Sequence, residues 1–145
     1  MLGTKRPVKV RLRTVHVDPE GDTVQMEYEY VGLLYDRPSE RYIIFEEPEP
    51  KVTTSYKIKD DEVLVTRRGE ISCAQLFRQG DWDHYTYQIA EGSLDLRALT
   101  HRVATDFNDG GGAVQLGYRL WSGDEPLGDY SLELTVIPEG VAGPV

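Results

Sequence analysis

Between residues 62 and 99 the chain reads EVLVTRRGEISCAQLFRQGDWDHYTYQIAEGSLDLRAL. Three turn signals, Arg68-Gly69, Gln79-Gly80-Asp81 and Glu91-Gly92, cut it into four short segments rich in Val, Ile, Leu, Tyr and Thr. Apolar and polar residues alternate at period two within each segment, the pattern of half-buried strands joined by tight turns. The same alternation recurs on both sides, and no segment carries a convincing period of 3.6. The chain is therefore expected to be all-β, one antiparallel meander wound around this centre.

The first strand is expected over residues 7–17, with Val8, Val10 and Leu12 on one face and Lys9, Arg11 and Arg13 on the other. Val15 and Val17 then carry the apolar side, so a bulge or bend is expected near Thr14. Residues 23–35 place Val24, Met26, Tyr28 and Tyr30 opposite Gln25, Glu27 and Glu29. Gly32, inside that pattern, marks a bulge or a close backbone approach. Residues 40–47 and 51–59 follow as strands. Residues 93–107 would reach about 50 Å if straight, too far for a small domain, so that strand must bend. Asn108-Asp109-Gly110-Gly111-Gly112 is the most flexible-looking loop, and two further strands follow it. About ten strands result, and closure into a barrel removes their exposed edges. Residues 1–138 form one domain and residues 139–145 a disordered tail.

At 145 residues the chain buries roughly two-thirds of its unfolded surface, enough for a single core. A formal charge of −9 argues against binding to nucleic acid or to anionic membranes. Cys73 is the only cysteine and has no internal disulfide partner. The N-terminal MLGTKRPVKV starts charged, with no apolar run behind it, so the cytoplasm is the expected compartment. No stretch approaches the ~18 apolar residues of a membrane-spanning helix.

Several matches in order make the chain resemble a known family. They are Gly32, Glu46-Glu47, Glu62-Val63-Leu64-Val65 with Arg67 and Gly69, Phe77 and Gly80, Tyr87 with Gly92-Ser93-Leu94, then Tyr118, Leu120, Gly128 and Leu132. Over residues 23–138 the chain resembles the YwiB-like family of uncharacterised bacterial proteins, lipocalin-like or calycin-like β-barrels. The resemblance implies a single antiparallel barrel of eight to ten strands, and no established activity. Where that family often has Thr two residues after the Tyr, this chain has Ile89, so no role rests on that hydroxyl.

Polar residues in phase with inward apolar ones are the candidate site. Arg67 follows Val63 and Val65, Thr54 lies between Val52 and Tyr56, Gln75 between Cys73 and Phe77, and Thr100 continues Leu94, Leu96 and Ala98. Tyr87 and Tyr118 bring hydroxyls, and Glu46 joins if Tyr42 and Ile44 face inward. An inward arginine needs a carboxylate or a ligand anion beside it. Glu46 or Glu47 is the expected partner. Two readings stand. In one, Arg67, Glu46, Glu47, Thr54, Tyr87, Thr100 and Tyr118 line a lumen that binds a small anionic or amphipathic ligand, without catalysis and without a cofactor. In the other, the same groups form an internal ion pair and hydroxyl network that fixes strand register.

An interaction module is the alternative function, in its simplest form a homodimer anchored by Trp82, Tyr85 and Trp121. An enzyme using Glu46 or Glu47 with Arg67 is a third. The five cations among the first thirteen residues read as a solvated strand face neutralised by Glu27, Glu29 and Glu133. Gly80-Asp81-Trp82 reads as a turn and Asp106-Phe107-Asn108-Asp109-Gly110 as a hairpin loop. His16, His84 and His101 are too scattered for a metal site. Cys73 reads as a small buried hydrophobe.

Overall fold

A computed structural model describes residues 4–108 and 111–139. The expected tail therefore lies, apart from Glu139, outside the described residues, as do two positions of the 108–112 loop. Among the described residues there are ten strands. They are β1 Thr4–Val17, β2 Thr23–Asp36, β3 Arg41–Pro48, β4 Lys51–Ile58, β5 Glu62–Gly69, β6 Cys73–Arg78, β7 Trp82–Ile89, β8 Gly92–Asn108, β9 Gly111–Ser122 and β10 Glu125–Pro138. All belong to one sheet in the order β6-β5-β4-β3-β2-β1-β10-β9-β8-β7. Every pairing is antiparallel, and β1 and β10 join the two halves of the meander.

The sheet curls until its two end strands, β6 and β7, which are consecutive in the chain, meet. The seam of the barrel thus falls inside the central stretch. Between those strands runs a single bridge, Ser72 to Gln88, with both amides donating at 2.9 Å. Further along the seam the Asp83 carboxylate accepts the Leu76 amide at 2.9 Å. A side chain there takes the place of a missing ladder bond, giving a nearly closed barrel. Removing it in Asp83→Ala leaves a partly buried amide without its acceptor, a loss of about 1–3 kcal/mol. A fall in thermal midpoint with amide exchange accelerating first at Leu76 is the expected readout.

The bends sit elsewhere than expected. β1 pairs with both neighbours without a register shift, so there is no bulge near Thr14. Thr14 and His16 keep the inward phase, and Val15 and Val17 face out. His16 is tolerated inside because its ring stacks on Tyr130 at 4.1 Å and its Nε2 lies 2.7 Å from the Leu127 carbonyl oxygen. The register shifts instead between Thr100 and Arg102 in β8 and between Pro126 and Gly128 in β10. The first bends the long strand, as its length requires. Gly32 is a close approach rather than a bulge, because a Cβ there would stand 2.6 Å from the Ile44 carbonyl oxygen.

The inward residues fill one end of the barrel. Val8, Val10, Leu34, Ile43, Phe45, Tyr56, Ile58, Val63, Phe77, Val114, Leu116, Leu134 and Val136 form the main core. They lie toward the β2–β3, β4–β5 and β8–β9 turns. Each large side chain buried there contributes about 1.5–3 kcal/mol. Leu96, Ala98 and Leu120 form a smaller cluster. At the opposite end the same inward phase continues into Glu47, Thr54, Arg67, Cys73, Gln75 and a set of tyrosines. That end is not filled.

Candidate functional site in the barrel lumen

Four neighbouring strands set the polar wall. On β3 the phase of Ile43 and Phe45 carries Glu47 inward, and on β4 that of Val52 and Tyr56 carries Thr54. Arg67 continues Val63 and Val65 on β5, and Cys73 and Gln75 precede Phe77 on β6. The registers place Thr54 directly opposite Arg67, and Arg67 opposite Cys73. The Arg67 guanidinium donates through Nη2 to both Glu47 oxygens at 3.1 Å. Thr54 Oγ1 donates to Glu47 Oε2 at 2.5 Å. The pair is largely withdrawn from solvent, with 23% of the Arg67 side chain and 13% of the Glu47 side chain exposed. Glu47 neutralises Arg67, and Thr54 occupies a further lone pair of the carboxylate.

These residues line a cavity of about 510 Å³, which reaches from Phe45, Tyr56 and Phe77 at its floor to Tyr28 and Leu94 at its mouth. Its far wall is aromatic. Tyr85 and Tyr87 come from β7, Tyr118 from β9 and Tyr130 from β10, and Tyr118 stacks on Tyr130 at 5.3 Å. Tyr30 stacks on Phe45 at 4.9 Å on the near side. Desolvation, reinforced by the Glu47 charge, pushes the Tyr30 phenol up to about 12. Burial likewise raises Tyr56, Tyr85, Tyr118 and Tyr130. All five therefore present neutral hydroxyls at neutral pH. The Cys73 thiol is also raised by burial, partly offset by Arg67, so it lines the wall as a thiol rather than a thiolate.

One polar group of the wall is left over. Gln75 is 7% exposed, and its Nε2 has no hydrogen-bond partner among the described residues. Such a buried donor costs about 1–3 kcal/mol unless something accepts from it.

Five of the expected site residues, Arg67, Glu47, Thr54, Tyr87 and Tyr118, come together in this lumen. Glu46 does not. Ile43 and Phe45 face inward rather than Tyr42 and Ile44, and the strict alternation of β3 turns Glu46 to solvent. Thr100 is buried but lies off the cavity, at the β8 bulge, where its backbone bonds to Gly80 and Asp81. Its Oγ1 has no partner among the described residues. Tyr85, expected as an exposed anchor, is half-buried in the wall. Its shared phase with Tyr87 was the signal. Cys73 is half-buried and cavity-lining, not a core hydrophobe. Trp82 and Trp121 remain outside, packed at 5.0 Å with Arg97 over both rings. On the basic face of β1, Arg11 and Lys9 pair with Glu29 at 3.0 and 3.6 Å.

With this geometry in view, known proteins show the same architecture. A family model described as Domain of unknown function (DUF1934) matches residues 10–134. The "Uncharacterized beta-barrel protein YwiB" of Bacillus subtilis (strain 168) is 26% identical over 136 residues, covering 92% of this chain and 94% of that one. The crystal structure of ywiB protein from Bacillus subtilis superposes with a TM-score of 0.82 over 94% of each chain, at 24% identity. The motifs quoted above thus resembled the right family.

Proposed function

This chain belongs to the DUF1934 family, and we propose that within it the barrel binds a small amphipathic molecule in its lumen, inside the cell and without catalysis. The observation that carries the reading is the buried, unpartnered Gln75 amide in the wall of a 510 Å³ cavity. A cavity of that size with apolar walls and a few converging polar groups has the usual make-up of a small-molecule site. The aromatic wall takes the apolar body of the ligand, in the manner of a calycin lumen. Gln75 and the tyrosine hydroxyls donate to its polar head. Because Glu47 already neutralises Arg67, the head is a neutral or weakly anionic acceptor, and a strong anion such as phosphate is disfavoured.

Cys73 gives the test. It is the chain's only cysteine and lines the cavity, so alkylation with N-ethylmaleimide places a bulky group in the lumen. Titration with N-phenyl-1-naphthylamine, an uncharged amphipathic dye, is expected to show one saturable site in the untreated protein and at least tenfold weaker binding after alkylation. Unchanged binding by the alkylated protein would put the dye elsewhere and overturn the reading.

A further inference from the structure

β2 has a second edge that nothing in the barrel uses. The strand pairs with β1 along its whole length, from Thr23 to Asp36, but with β3 only from Gly32 to Asp36. Residues 23–31 therefore have a β-strand neighbour on one side alone among the described residues. Along this edge Thr23 to Glu29 are all exposed, including Val24, Met26 and Tyr28 at 55%, 47% and 38%. Those three share one face, and Gln25, Glu27 and Glu29 share the other.

Such an edge, about 30 Å of extended backbone with unsatisfied amides and carbonyls, is a template for another strand. Natural edges are usually blunted by lysine, proline or a bulge, and residues 23–31, TVQMEYEYV, contain none of these. What they carry is negative charge. Antiparallel pairing of two copies would bring Glu27 and Glu29 of each near the same residues of the other, which is unfavourable. A second copy is thus a poor occupant. The complement is visible on the strand's other edge, where β1 alternates Val8, Val10 and Leu12 with Lys9, Arg11 and Arg13, and Arg11 bonds Glu29 at 3.0 Å. Val24 and Met26 lie outside the lumen lining, while Tyr28 stands at its mouth, so this surface adjoins the ligand site without filling it.

We propose that residues 23–31 of β2 dock an extended segment of a partner protein by strand addition, a segment in which apolar and basic side chains alternate. Its backbone completes the edge ladder, its apolar residues cover Val24, Met26 and Tyr28, and its cations meet Glu27, Glu29 being already held by Arg11 and Lys9. The added strand takes up the edge of β2 beyond the Gly32–Phe45 pair, where the pairing of β3 with β2 ends.

The test is an anisotropy titration of the intact protein with a fluorescein-labelled synthetic peptide, VKVKVKVKV, against VEVEVEVEV as control. Saturable one-to-one binding of the basic peptide alone is expected, with amide-exchange protection gained along residues 23–31. Glu27→Lys and the double variant Val24→Lys/Met26→Lys should each weaken it at least tenfold. Both variants alter exposed side chains, and an unchanged circular dichroism spectrum and melting curve would confirm that they fold. Equal binding of the two peptides, binding indifferent to these variants, or no binding at all would overturn the proposal. So would a concentration-dependent dimer mass abolished by Val24→Lys/Met26→Lys, which would give the edge to a second copy.

Discussion

Arg67→Ala is expected to lower the unfolding free energy by about 3 kcal/mol, the low end of what breaking a buried pair from one side costs. The reason is the charge left behind. Glu47 is 13% exposed and would keep only the Thr54 hydroxyl as partner. The double variant Arg67→Met/Glu47→Gln removes both charges while keeping the volume, and should recover more than half of that loss. Urea denaturation checks this through the midpoint at unchanged m-value. Two single losses that simply add would show that the ion pair does not hold the wall together. The folded double variant is expected to keep its affinity for the dye, since Gln75 and the tyrosine hydroxyls, not the mutually neutralised Arg67–Glu47 pair, meet the polar head of the ligand.

Above pH 10 the barrel should unfold cooperatively. Tyr30 is raised to about 12, and Tyr56, Tyr85, Tyr118 and Tyr130 are raised as well, in each case chiefly by desolvation of the phenolate. Free tyrosine in the unfolded chain ionises near 10. A folded value above the unfolded one means the stability is fully present below about pH 10 and is lost as the pH rises toward 12 and beyond. Several such groups share one cavity, so their losses accumulate over the same interval. Tyrosinate absorbance at 295 nm and far-ultraviolet circular dichroism should change together between about pH 10 and 12. Gradual ionisation with the strand signal intact at pH 12 would contradict the packing described for these rings. Tyr118→Phe should move the transition to higher pH.

The alternation made the strands and their inward faces readable from sequence, because each buried side chain in a pleated strand fixes the phase of its neighbours two residues away. The inward places of Arg67 and Thr54 follow from that rule, and the need for a carboxylate beside Arg67 follows from its burial, while the choice between Glu46 and Glu47 stays open. Glu46 was misplaced because ERYIIFEE offers apolar residues in both phases, and only pairing with β2 and β4 decides that Ile43 and Phe45 go in. The phase of β1 is hidden for a similar reason: a half-buried histidine looks out of phase until its ring partner Tyr130 and its carbonyl partner Leu127 are known. Thr100 was in the right phase, but the bulge after it turns that stretch of β8 away from the cavity. The lumen's existence was beyond reach of pattern, since tilt and stagger of ten strands, not composition, decide whether a barrel fills itself. The seam between β6 and β7 was equally hidden, because the alternation gives no sign that the Asp83 carboxylate accepts the Leu76 amide.

Native mass spectrometry of the protein purified gently from cells, compared with its denatured mass, tests the lumen most directly. Binding predicts a reproducible extra mass that is released on denaturation and absent from Cys73-alkylated protein after exchange with the same extract. A bare chain under both conditions, with no uptake from the extract, would contradict it.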